Sequence, residues 1–72
     1  MDSHAERARS TLNVALDDRG ISHRAAGVAM GRSVAYAHRR LNGEVPMTLD
    51  DLAALAAVAG LEVHVELVPA SA

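Results

Sequence analysis

Apolar residues recur every three or four positions near the start of the chain, which is the spacing of one face of an α-helix. The stripe consists of Ala8, Leu12, Ala15 and Leu16. It predicts a helix from Ala5 that ends near Arg19, because Gly20 suits the position after a helix C-cap. Residues 1–4 are polar apart from Met1, and we expect them to be frayed.

Hydroxyl side chains mark the starts of three further predicted helices, since a serine or threonine oxygen accepts a hydrogen bond from the first helical turn. These N-caps are Ser22, Ser33 and Thr48, and the segments end at Gly31, Gly43 and Gly60. Thr48 and Asp51 together form a variant of the capping box. The expected inward residues are Ala37 and Leu41 in the third helix and Leu49, Leu52, Leu55, Ala56 and Ala59 in the fourth.

The pattern changes to strict alternation after Gly60, which is typical of a half-buried β-strand. Residues 62–69 form this predicted strand, and Pro69 ends it. No other segment alternates in this way, so we expect the strand to pair antiparallel with the same strand of a second copy. An extended tail packed on its own helices is the alternative. The predicted dimer interface consists of Val63, Val65 and Leu67.

Length and composition argue against several classes of protein: enzymes, metal-binding proteins and membrane-spanning proteins. Seventy-two residues leave little room for a catalytic cleft, and a core of small apolar residues favours association with a second copy. Cysteine is absent, and the four histidines show no metal-ligand spacing, so we expect no enzyme activity, metal or cofactor. No apolar run is long enough to span a bilayer, and no signal peptide is evident. We therefore expect a cytoplasmic protein.

Charge is divided unevenly along the chain, although the net formal charge is only −2. The segment 19–43 contains five arginines, two histidines and no acidic residue. All nine acidic residues lie elsewhere, beside two arginines. A basic segment inside an acidic chain favours contact with a polyanion such as nucleic acid.

The basic segment also contains a short helix, a turn at Gly31 and a second short helix, with small residues that allow close crossing. In residues 20–61, "GISHRAAGVAMGRSVAYAHRRLNGEVPMTLDDLAALAAVAGL", the chain resembles the phage-repressor and Cro-like helix-turn-helix family, and the likeness extends from about Leu12 to Leu61. The matching points are Gly31, Asn42-Gly43, Pro46 and Thr48-Leu49. The chain departs from the family at Gly27, usually alanine, and at Arg32 and Arg40, usually apolar.

The resemblance implies a mainly α, compact four-helix domain over residues 5–61 that binds operator-like double-stranded DNA, usually as a homodimer, in the cytoplasm of a bacterial or phage-infected bacterial cell. The second helix of the motif, about 33–42, would enter the major groove. The resemblance assigns the following residues to the DNA-facing surface: His23, Arg24, Ser33, Val34, Ala35, His38, Arg39 and Asn42.

Side-chain chemistry suggests roles on that surface. Arg39 can donate two hydrogen bonds to a guanine, and Val34 and Ala35 can contact a thymine methyl. The expected phosphate contacts are Ser33, His23, Arg24 and Arg32. Tyr36 is either a phosphate contact or part of the core. Arg40 is either a phosphate contact or the ion-pair partner of Glu44.

These features predict a sequence-specific transcriptional regulator, with a small Cro-like repressor fitting best. Two alternatives remain open. One is the antitoxin of a toxin–antitoxin pair, which carries the same motif. The other is a protein-interaction module that uses helix pairs without nucleic acid.

Overall fold

Four helices account for most of residues 3–70, the part of the chain that the computed structural model describes. They are α1 (His4–Asp18), α2 (His23–Met30), α3 (Val34–Leu41) and α4 (Leu49–Val58). The prediction of a mainly helical chain with four helices is confirmed. α2 packs chiefly against α3 and also contacts α4, while α1 packs against α4.

The predicted N-caps are confirmed for three helices. The hydroxyls of Ser22, Ser33 and Thr48 each accept a hydrogen bond from the third residue of the helix that follows, at 3.0–3.1 Å. α1 begins earlier than expected, because Ser3 caps it and forms a reciprocal capping box with Glu6. Residues 3 and 4, which were expected to be frayed, therefore form the N-cap and the first residue of α1, and residues 1 and 2 lie outside the described part.

The core lies where the four helices meet. Its buried members are Leu12, Leu16, Ala26, Ala37, Leu41, Leu55 and Ala59. Leu49 was expected among them but is 61% exposed. As the first residue of α4, it lies on a groove of about 580 Å³ between α1, α4 and the C-terminal segment, which nothing in the described chain fills.

Gly27 shows why the chain departs from the usual alanine at this position. A Cβ built on Gly27 would lie 2.9 Å from the carbonyl oxygen of Ser33 and 3.0 Å from that of Arg32. These are backbone atoms, which cannot move aside as a flexible side chain can. Gly27 therefore allows α2 to contact the backbone that leads into α3.

The C-terminal segment does not form the predicted strand: no residue from 61 to 70 has regular secondary structure. A strand requires a neighbour that pairs with its backbone N–H and C=O groups, and no segment of the described chain supplies one. Val65 and Leu67, two of the predicted interface residues, are 61% and 93% exposed, whereas Val63 is half-buried.

Candidate nucleic-acid interface

Helix α3 has one buried face and one open face. Ala37 and Leu41 pack into the core, as predicted. Ala35 and Arg39 are exposed on the other side of the helix, and Val34, the first residue of α3, is 44% exposed at the edge of this open face. The open face is therefore available for contact with another molecule along the whole length of the helix.

The start of α2 and the turn between the two helices lie beside this face. Arg24 and Arg32 are exposed and His23 is half-buried. Ser33 is exposed, but its oxygen already accepts the hydrogen bond from Tyr36 N at 3.1 Å. Its hydroxyl proton remains able to donate, so capping and a phosphate contact are compatible in the same side chain.

The five arginines of the acid-free segment have different surroundings. Arg40 is paired with Asp51, and the guanidinium of Arg19 lies against Gly60, just beyond the end of α4. Arg24, Arg32 and Arg39 are exposed, and none of the three forms an ion pair within residues 3–70. Their positive charges are therefore not neutralised by the carboxylates of the described chain.

Three residues of the predicted surface form one hydrogen-bonded chain. The Nδ1 atoms of His23 in α2 and His38 in α3 are 2.9 Å apart, and the ring centroids are 5.0 Å apart. The other ring nitrogen of His38, Nε2, lies 2.8 Å from Nδ2 of Asn42. The pair of histidines joins two helices across 15 sequence positions, which the sequence spacing did not reveal.

A second cluster attaches α3 to α4. The hydroxyl of Tyr36 donates to both carboxylate oxygens of Asp51, at 3.0 and 3.2 Å. The Nε atom of Arg40 lies 3.3 Å from the same carboxylate, and its guanidinium stacks over the Tyr36 ring, 3.4 Å from the centroid. The guanidinium of Arg32 lies over the ring as well, at 4.9 Å. The structure therefore places both Tyr36 and Arg40 against Asp51.

This arrangement differs from the ion pair with Glu44, which was one of the two roles considered for Arg40. Its ion-pair partner is Asp51 on the next helix and not Glu44, and its side chain is only 16% exposed. Asp51 was recognised from the sequence only as the capping-box residue of α4. Nothing in the local pattern showed that the carboxylate would also hold α3.

Asp51 is buried, with 8% of its surface exposed, and its surroundings determine its charge state. Burial alone would raise the pKa of this carboxyl group. Hydrogen bonds from the Tyr36 hydroxyl and from the backbone and side chain of Thr48, together with the Arg40 charge, outweigh burial and hold the pKa below its ordinary value of 3.8. Asp51 is therefore a carboxylate at neutral pH.

Helix α1 supports the end of α3 through residues that were not predicted. The Nδ2 atom of Asn13 donates to the carbonyl oxygen of Leu41 at 2.9 Å. The guanidinium of Arg9 lies against Gly43, where an added Cβ would fall 2.6 Å from Cζ. Arg9 and Asn13 are four residues apart on one helix, so they share a face. The last backbone carbonyl groups of a helix have no N–H donor within the helix. Asn13 supplies such a donor for Leu41, and Arg9 lies beside the residue that follows the end of α3.

A shallow depression of about 340 Å³ lies on the open face of α3 and includes an acidic residue. It is lined by Val34, Ala35, His38, Arg39 and Glu44. Glu44 follows directly after the acid-free segment. Because it lines the same depression as Arg39, its negative charge would oppose the approach of a polyanion to this part of the face.

Within residues 3–70, no group of three or more histidine, cysteine or acidic residues could hold a metal ion, and no helix has the length and apolarity to cross a membrane. We compared the chain with models of protein families, with curated proteins and with solved structures, and none of them matches it. Its function is therefore inferred from the geometry of its own residues.

Proposed function

We propose that this chain is a sequence-specific double-stranded DNA-binding regulator of transcription that places α3 in the major groove and acts as a repressor by occupying its operator. The observation that carries the proposal is the set of three exposed arginines, Arg24, Arg32 and Arg39, without acidic partners in residues 3–70. They lie on α2, the turn and α3, around the open face of one short helix.

The shape of this surface suits duplex DNA. An α-helix fits the major groove of B-DNA, and α3 has an open face on which Val34 and Ala35 are small enough for close approach. Arg39, in the second half of α3, can reach a guanine edge. Arg24 and Arg32, which flank the helix, can bind phosphates and set its register without reading sequence.

The attachment of α3 supports the same proposal. Asp51 holds Tyr36 and Arg40 from the α4 side, and Asn13 holds Leu41 from the α1 side. A recognition helix fixed at several points loses little conformational freedom when it binds, so less of the contact energy is spent on ordering. In this proposal Tyr36 and Arg40 contribute mainly by positioning α3.

We propose further that two copies bind one operator through the C-terminal segment. Its exposed apolar residues and unpaired backbone can form an antiparallel pair of strands across a two-fold axis. Two recognition helices then reach half-sites about 34 Å apart, one turn of B-DNA. Val63, Val65 and Leu67 would face the partner.

Titration of a mixed-sequence duplex of about 20 base pairs, over roughly 50–200 mM salt, tests DNA binding itself. Binding through several phosphate contacts requires a steep, linear fall of log affinity with log salt. Affinity that does not change with salt, or no binding at all, would refute the proposal and favour an interaction module that does not use nucleic acid.

Arginine variants test the assignment of roles, with operator sequences first selected from a randomised pool. Arg39→Ala should lower the preference for the selected duplex over random DNA by about ten-fold or more, the loss of one bidentate base contact. Arg24→Ala should weaken both duplexes equally and reduce the salt slope by about one. Arg7→Ala is the matched control, because Arg7 is an exposed arginine of α1 outside the surface. An effect of Arg7→Ala as large as that of Arg24→Ala would show that the surface is misplaced.

A further inference from the structure

His38 uses both of its ring nitrogens within the protein. Nδ1 lies 2.9 Å from Nδ1 of His23, and Nε2 lies 2.8 Å from the amide nitrogen of Asn42. A neutral imidazole has one N–H donor and one acceptor. The two contacts together therefore engage the full hydrogen-bonding capacity of His38 before any ligand arrives.

The direction of each hydrogen bond follows from the chemistry of Asn42. Its amide nitrogen can only donate, so Nε2 of His38 must accept and carries no proton. The proton of His38 is then on Nδ1, which donates to Nδ1 of His23. Since Nδ1 of His23 accepts, the proton of His23 is on Nε2, the atom of the ring that is not used in this contact.

We propose that His38 is a positioning residue which holds His23 in the Nε2–H form and orients Asn42, and that His23 Nε2–H donates to a DNA phosphate while the amide oxygen of Asn42 accepts from the DNA. This inference rests on the proposed DNA-binding function and refines it. It removes His38 from the set of direct DNA contacts and assigns one donor and one acceptor to its two neighbours.

The tautomers can be observed without DNA. In a two-bond ¹H–¹⁵N correlation spectrum of the full chain at neutral pH, His38 should show the Nδ1–H pattern and His23 the Nε2–H pattern. His64 is exposed and contacts only the nearby Glu62 among the hydrogen bonds of the described chain, so its ring nitrogens provide a comparison within the same spectrum. An Nε2–H pattern for His38, or averaged ring nitrogens in both histidines, would overturn the inference.

A double-mutant cycle with the selected duplex tests the consequence for binding. His23→Ala should weaken binding by about five-fold, the loss of one hydrogen bond to a phosphate. His38→Ala should weaken it by at least the same factor, because neither His23 nor Asn42 is then held, and the double variant should be no worse than His38→Ala alone. His64→Ala is the control and should leave affinity unchanged.

Three outcomes are distinguishable. If the loss of DNA affinity in the double variant equals the product of the losses in the two single variants, His38 contacts DNA directly. The inference would then be wrong although DNA binding is real. If His23→Ala leaves DNA affinity unchanged, His23 does not donate to a phosphate and this part of the inference is wrong. Failure of the wild-type chain to bind any duplex would refute both the proposed function and the DNA part of this inference, while the spectrum would still decide the tautomers.

Discussion

Replacement of Asp51 by alanine removes two interactions that hold α3 on α4 and one hydrogen bond of the capping box of α4. The carboxylate accepts from the Tyr36 hydroxyl at 3.0 Å, pairs with Arg40 at 3.3 Å and accepts from the Thr48 backbone N–H at 3.4 Å in the capping box. Thr48 keeps its own role as the N-cap, since its hydroxyl still accepts from residue 51. The loss is therefore concentrated at the contact between the two helices.

The size of the effect follows from the strength and burial of these contacts. A hydrogen bond to a charged group contributes about 1.5–3 kcal/mol. The long capping-box arm and the ion pair, whose arginine side chain is 16% exposed, together add about 1 kcal/mol. We expect Asp51→Ala to reduce the free energy of unfolding by about 3 kcal/mol, which for a domain of this size lowers Tm by about 12–24 °C.

Urea and thermal unfolding followed by far-UV circular dichroism measure this change. Asp50→Ala is the matched control, because Asp50 is an exposed acid in the same helical turn and should contribute within about 0.5 kcal/mol. Tyr36→Phe should cost about half as much as Asp51→Ala, and combining the two should cost less than their sum. Asp51→Ala and Asp50→Ala variants of equal stability would refute the reasoning.

The same carboxylate predicts a pH dependence. The folded-state pKa of Asp51 lies below the ordinary value of 3.8. The contribution of this carboxylate to the free energy of unfolding is therefore fully present at pH values above that ordinary pKa. It is lost as pH falls through the lower folded-state pKa. The stability difference between wild type and Asp51→Asn should therefore be constant near neutral pH and shrink below about pH 4. A difference that persists unchanged at lower pH would contradict this.

The remaining predictions concern packing, charge and association. Gly27→Ala should destabilise the chain by about 1–3 kcal/mol in urea unfolding, despite the better helix propensity of alanine, because its Cβ meets the backbone of the turn; a gain in stability would show that the helices can separate freely. Glu44→Gln should raise affinity for any duplex by about two- to five-fold, since it removes a negative charge beside Arg39, and unchanged affinity would place the DNA elsewhere. Val65→Lys should give monomers by sedimentation while His64→Lys on the alternate face should not, and equal masses for both variants would exclude the strand as the interface.

Local features of the sequence were sufficient to predict the four helices and most of the residues on their buried faces. Ser22, Ser33 and Thr48 accept hydrogen bonds from residues three positions away, so their roles as N-caps depend only on neighbouring backbone. The buried positions Leu12 and Leu55 follow from periodicity for a similar reason. The prediction that Leu49 is buried was wrong, because periodicity identifies a face of a helix but not how far the neighbouring helix extends to cover it.

The C-terminal segment shows a different limit. Its alternating pattern describes the faces that a strand would have, but a strand forms only when a second backbone lies beside it. Residues 61–70 have no such neighbour in the described chain and lack regular structure. Alternation is therefore a property of the segment alone, whereas strand formation depends on a partner.

The sequence by itself determined where each helix lies to within a few residues, most of the residues that form the core, and where positive charge accumulates. Only the tertiary structure decided that Asp51 meets Tyr36 and Arg40, and that His23 meets His38, because each of these pairings crosses between helices. Whether such side chains meet depends on the angle and distance at which the helices cross, and Gly27 sets the close approach of α2 to the backbone entering α3. Those contacts decide which basic residues remain exposed and which are held inside.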